Sequence, residues 1–206
     1  MAITYPLSFP SALPAAGLAF GAKSSVGMSQ SPFTAEQQVY AHQGEYWLAD
    51  ISLAPMIRER AEAWVGFLLA LNGREGTFLF GDHVNPSPRG VGTGTPLVKG
   101  ASQTGKTLLT DGWTAGQTGI MKVGDWLQLG SGASSRLHKV VQDADSDGSG
   151  NATLEIWPRL RSSPDDNAVI TVESPKGLWR LASNTRYWDM GAAQLYGIQF
   201  NCLEAL

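Results

Sequence analysis

The sequence predicts a mainly β protein with one principal α-helix, in which a β-sandwich-like domain is interrupted by a small inserted β-barrel or sandwich module. Three observations lead there. Short apolar segments alternate with the two-residue period of strands, and Gly and Pro punctuate them. Only one segment, residues 55–72, repeats its apolar side chains at helical spacing. A stretch rich in Pro and Gly, "GDHVNPSPRGVGTGTP", then separates that helix from a run of evenly spaced short strands. The 206 residues suffice to bury a substantial core, and 24 glycines suit a chain of many turns.

Taken in order, Ile3, Tyr5, Leu7 and Phe9 alternate and predict a first strand. "SSVGMSQSPFTAEQQVY" reads as an irregular segment leading into another strand. Trp47, Ala49, Ile51 and Leu53 alternate again. The helix follows over 55–72. Pro55 suits its first turn, where a missing N–H costs nothing. Ile57, Ala61, Trp64, Leu68 and Leu71 form its apolar stripe, and Asn72-Gly73 stops it. Gly66 inside it costs roughly 1 kcal/mol against Ala and points to close packing. "GTFLF" is a strand beside the helix. Residues 84–96 are a linker. Residues 97–161, with "PLVKGA", "TLLTDGW", "DWLQLG", "RLHKVV" and "ATLEIWP", are the inserted module. Residues 162–206 rejoin residues 1–83 in one domain and end on the alternating Ile198, Phe200 and Cys202.

Composition excludes several classes. A formal charge of −3 argues against a dominant nucleic-acid or anionic-membrane footprint. Cys202 is the only cysteine, so neither an internal disulfide nor a Cys-rich zinc site can form, and a reducing cytosol is the expected place of synthesis. The opening segment is broken by Pro6, Pro10 and Pro14 and lacks a basic start, unlike a targeting peptide. No run approaches the ~18 apolar residues of a membrane span, so no membrane insertion is expected.

Two motifs imitate ligand sites. "GASQTGKT", Gly100 to Thr107, fits the phosphate-loop pattern at every fixed position. That loop works only between a buried strand and a helix, and the residues after Thr107 are turn formers, with Asp111-Gly112 a turn signal. The segment is therefore expected to be a polar turn, Ser102 to Gly105, between two strands. In "DADSDGSGNATLE", Asp143, Asp145, Asp147 and Gly148 take the first, third, fifth and sixth places of an EF-hand loop. Leu154 stands where the bidentate Glu belongs, Glu155 comes one residue late, and both flanks are strand-like. What remains is either a solvated hairpin loop or a weak calcium site.

No catalytic constellation emerges, and no cofactor or metal is expected. His42, His83 and His138 are scattered, Asp165-Asp166 sits in a solvated loop, and Cys202 reads as a small buried hydrophobe. The chain is expected not to be an enzyme. Of the seven Trp, Trp64 fits the core, whereas Trp113 and Trp188 lie in loop-like contexts and are expected to be exposed, as an interface or a ligand platform.

The segment from Gly27 to Asp82, with Trp64, Gly73, Gly76, Phe78, Phe80 and Asp82 at matching places, resembles the N-terminal region of distal tail or minor tail proteins of long-tailed bacteriophages. "GASQTGKTLLTDGW", "MKVGDWLQLG" and "LEIWPRLR" resemble the β-rich module of such proteins, and "YGIQFNCLEA" resembles their closing strand. The resemblance implies a virion protein made in the host cytoplasm. It implies a homo-oligomeric ring, a hexamer, joining the tail tube protein to the hub or baseplate protein and fibres. DNA and the tape-measure protein would pass through its lumen, with no specific nucleic-acid sequence read. The rival reading is a carbohydrate- or receptor-binding adsorption module of the same particle.

Overall fold

The structure, a computed structural model, describes residues 2–11, 15–191 and 194–206, so Met1 and Pro14 lie outside the described residues. The chain begins with β1 (Ala15–Lys23), β2 (Val26–Gln30), β3 (Gln37–Ala41), β4 (Tyr46–Leu53), β5 (Met56–Ile57), the helix α1 (Arg58–Ala70) and β6 (Phe78–Phe80). It continues with β7 (Gly94–Val98), β8 (Gly105–Trp113), β9 (Trp126–Leu129), β10 (Arg136–Val140), β11 (Ala152–Leu160) and β12 (Ile170–Thr171). It closes with β13 (Gly177–Leu181), β14 (Trp188–Met190) and β15 (Leu195–Glu204).

The fold is mainly β with one α-helix, as expected. The first sheet runs β1-β4-β15-β13-β6, with β5 and β14 also pairing with β15. The second runs β12-β9-β10-β11-β8-β7. A bridge between Leu97 and Val169, and the Val98 N–H donated to the Ala168 carbonyl at 2.9 Å, bring its two ends together. That nearly closes a barrel and removes edges that would otherwise invite pairing. Because β12 pairs with β9, this sheet extends beyond residue 161, to Thr171.

Helix α1 buries Ala61, Trp64 and Leu68 as its spacing predicts, and Leu71 just after it. It starts at Arg58 and not at Pro55. Met56 and Ile57 instead pair with Tyr196 and Leu195, so their backbone groups serve the sheet and Ile57 is half exposed. Asn72 and Gly73 both take positive φ and stop the helix. Tyr5 donates its hydroxyl to the Ala70 carbonyl at 2.7 Å, satisfying one of the last-turn acceptors. Nothing would lie within 4 Å of a Cβ at Gly66, so that glycine does not mark close packing.

Three further expectations are corrected. Residues 3–9 form no strand. Only Leu7 bridges Phe78, although Phe9 lies in a nest of Trp64, Phe67, Phe78 and Phe80 rings. The "irregular" segment is an antiparallel hairpin, β2–β3, paired from Val26–Ala41 to Gln30–Gln37. Asp111-Gly112 is not a turn. It lies within β8, where Gly112 takes φ +74° and its missing Cβ lets the Thr95 carbonyl approach.

Candidate functional site

The phosphate-loop imitation is a strand–loop–strand unit. β8 follows it where a helix is needed, and Ser102 takes φ +63° in the turn. The interior of the loop is filled by Gln103, whose amide donates to the carbonyls of Lys99, Gly100 and Leu109 and accepts from Leu109 N–H. The Gly100 N–H, a donor such a loop would aim at phosphate, is held by the Asp166 carboxylate at 2.7 Å. A carboxylate in that place repels an anion. Lys106 points elsewhere, to Glu45 at 2.7 Å.

The acidic loop is likewise occupied with itself. Asp143 accepts from Val123 N–H, Asp145 from Gly119 N–H, and Asp147 from Ser149 and Asn151. Those last hydrogen bonds hold the Asp147 carboxyl below its usual range. Each carboxylate serves a different backbone donor. Among the described residues, no three His, Cys, Asp or Glu side chains converge as metal ligands.

His42 and His83 are exposed and apart, whereas His138 is buried with Nδ1 2.8 Å from the Pro158 carbonyl. Burial, aided by the nearby Arg161 and Arg136, lowers its pKa to about 4. Cys202 is buried as expected, and burial raises its thiol pKa, which makes it an inert hydrophobe. Trp113 is not exposed. It is buried in the barrel and donates Nε1–H to Thr110 Oγ1 at 2.8 Å. Trp188 is half-buried and packs against the first core.

What sequence reasoning missed is a polar and aromatic junction between the two sheets. Glu45, buried, accepts from Lys106 Nζ and from Arg159 N–H at 3.0 Å. Burial pushes its pKa up, but those donors outweigh it and the net shift is downward. Glu204, also buried, accepts from Trp47 N–H and from Arg161 Nη2, each within 3.2 Å. There burial wins and the pKa is raised despite Arg161. Trp47 donates Nε1–H to Leu137 O at 2.9 Å, and its ring meets those of Trp126 and Trp157 at 4.7 and 4.4 Å. Beside the junction lies a cleft of about 560 Å³ bounded by Asp82, Arg89, Asp125, Trp126 and Lys139. Its charges balance within the cleft, and Asp125 is spent on the N–H groups of Arg89, Gly90 and Lys122.

The second feature missed is the β2–β3 ribbon. Among the described residues it pairs with no other strand, and Val26, Met28, Phe33, Val39 and Tyr40 on it are all more than half exposed, Phe33 at 94%. An isolated two-stranded ribbon is marginal in water, and apolar exposure clustered on this scale is uncommon on a lone chain.

No family model matches this chain, and no curated protein matches it.

Proposed function

We propose that this chain is a structural subunit of a bacteriophage tail tip. Identical copies, six by expectation, close into a ring that joins the tail tube to the hub and fibres, with DNA passing through the lumen. The exposed β2–β3 ribbon carries the reading. It presents apolar side chains and free strand edges that one chain alone leaves in water, and a ring supplies a second copy to cover them. A closed ring needs one patch on each copy to meet a different patch on the next, and a projecting ribbon can serve as one half of such a contact. The resemblance of residues 27–82 to phage tail proteins gives the assembly its class. A net charge of −3 suits a lumen through which DNA slides, because basic contacts are what hold phosphate.

The adsorption reading drew on exposed Trp side chains and an acidic loop; of the two Trp expected to be exposed, Trp113 is buried and Trp188 is half-buried. The test is the mass and symmetry of the purified chain, by light scattering with electron microscopy of the same peak. A closed symmetric ring is expected. A monomer whose Trp fluorescence is quenched saturably by host polysaccharide would overturn the ring in favour of adsorption.

A further inference from the structure

We infer that the groove at Arg186 receives the tip of the β2–β3 ribbon from a second copy of this chain, with Glu36 as the carboxylate that meets Arg186. The inference rests on the ring reading and gives its subunit contact a location. Between β13 and β14 the chain bulges over residues 182–187 and leaves a groove of about 310 Å³ beside β15. Ser183, Thr185, Tyr187, Gln199 and Asn201 line it together with Arg186.

Among the described residues, Arg186 Nη1 is the one buried side-chain nitrogen or oxygen without a hydrogen-bond partner. A charged donor removed from water without an acceptor is costly, so an unfilled guanidinium N–H points to an oxygen that arrives from outside the chain. None of the described residues lining the groove is a carboxylate. The other polar lining side chains are neutral. Tyr187, 78% exposed at the rim, offers an aromatic surface beside the positive group. A carboxylate beside an aromatic ring suits both the guanidinium and the Tyr187 face.

The ribbon tip carries that pair. Glu36 is the only carboxylate between Lys23 and Glu45, and it makes no ion pair among the described residues. Phe33 stands three residues away and is almost wholly exposed. The tip is also set in advance. Phe33 and Thr34 N–H groups rest on Ser31 Oγ, Glu36 N–H on Thr34 Oγ1, and Gln30 Nε2 on the Ala35 carbonyl. A fixed tip loses less freedom on docking than a loose one. Tip and groove are different patches, so the contact is head-to-tail and propagates into a ring when the rotation closes.

Charge reversal with exchange tests this. Glu36→Arg and Arg186→Glu each place like charges together and are expected to weaken self-assembly at least about tenfold. Both together restore the pair and the assembly. That rescue, with unchanged circular dichroism, separates a lost contact from a lost fold. In a second measurement, E36C and R186C chains are mixed with a short bis-maleimide linker, because a Glu–Arg pair holds its two backbones too far apart for a direct disulfide. Cross-linked dimers are expected from the mixture and from neither chain alone, Cys202 being buried. Wild-type rings that persist through both reversals, or a mixture without cross-links, overturn this contact and leave the ring reading standing. A wild-type chain that stays monomeric at every concentration overturns the ring and the contact together.

Discussion

Stability should fall as the pH drops from about 7.5 to about 5, and His138 should be the main cause. Its folded pKa is about 4 against an ordinary 6.5, because the neutral ring lies inside the barrel with Nδ1 on the Pro158 carbonyl. The unfolded chain therefore takes up a proton in this window that the folded chain refuses. Stability is full above the unfolded pKa and is lost as the pH falls toward the folded one. Weighing the two protonation equilibria at pH ~5 gives a loss of about 2 kcal/mol relative to pH ~7.5. For a chain of this size that is a fall in Tm of roughly 4–8 °C. Glu45 and Glu204 contribute with opposite signs, since one carboxyl is shifted down and the other up. The assay is thermal unfolding across this range for the wild type and for His138→Gln, which keeps a donor but cannot titrate. The variant's curve should lose most of the wild type's slope between pH ~6.5 and ~5. An equal slope in both proteins would refute the assignment.

The other predictions are simpler. Gly66→Ala, on an exposed helix position with open space around it, should stabilise by about 1 kcal/mol, read as a higher Tm. Gly81→Ala should do the opposite by about 1–3 kcal/mol, because its Cβ would sit 1.9 Å from the Pro175 carbonyl oxygen. Lys106→Met should cost about 1 kcal/mol, no more because Lys106 is half exposed and its attraction to Glu45 is screened. Magnesium-ATP should leave the Tm of the wild-type chain unmoved, and a rise would show that the Gly100–Thr107 loop binds phosphate after all. Millimolar calcium should leave the Tm equally unmoved, since Asp143, Asp145 and Asp147 serve separate backbone donors, and isothermal calorimetry should show no heat of binding.

How far the sequence could be read depended on whether burial imposed a period. In β4 and β15 one face meets the core, so Trp47 to Leu53 and Ile198 to Cys202 alternate visibly. The ribbon has no buried face, so nothing forces its apolar residues into step, and it passed for irregular chain. In β8 the period exists but changes phase. Leu108 and Thr110 are buried, then Gly112 interrupts, and the next buried residue is Trp113. The shift lies opposite the register change between Gly94 and Leu97. A tryptophan out of step, set among Asp, Gly and Thr, looks like a loop residue. The junction left no local sign at all, because Glu45 and Arg159 are 114 positions apart.

The junction also changes what an inserted module means. In β9 and β10, Trp126-Leu127 and Leu137-His138 are neighbours in sequence and both buried. Neighbouring strand residues face opposite ways, so these strands are covered on both sides. One side fills the barrel, and the other carries Trp126 and Leu137 into the core of the first sheet. The linker is no free tether either. Arg89 and Gly90 N–H groups are held by Asp125, and Val91 and Gly92 N–H groups by Gly119 and Ile120 carbonyls. A module swinging away would expose Trp47, Trp126 and Trp157 and strip Glu45 and Glu204 of their donors. Each of those losses is a named destabilising mechanism, and they would fall together. Load applied to the barrel would therefore pass into the first sheet, and would not be absorbed at a hinge.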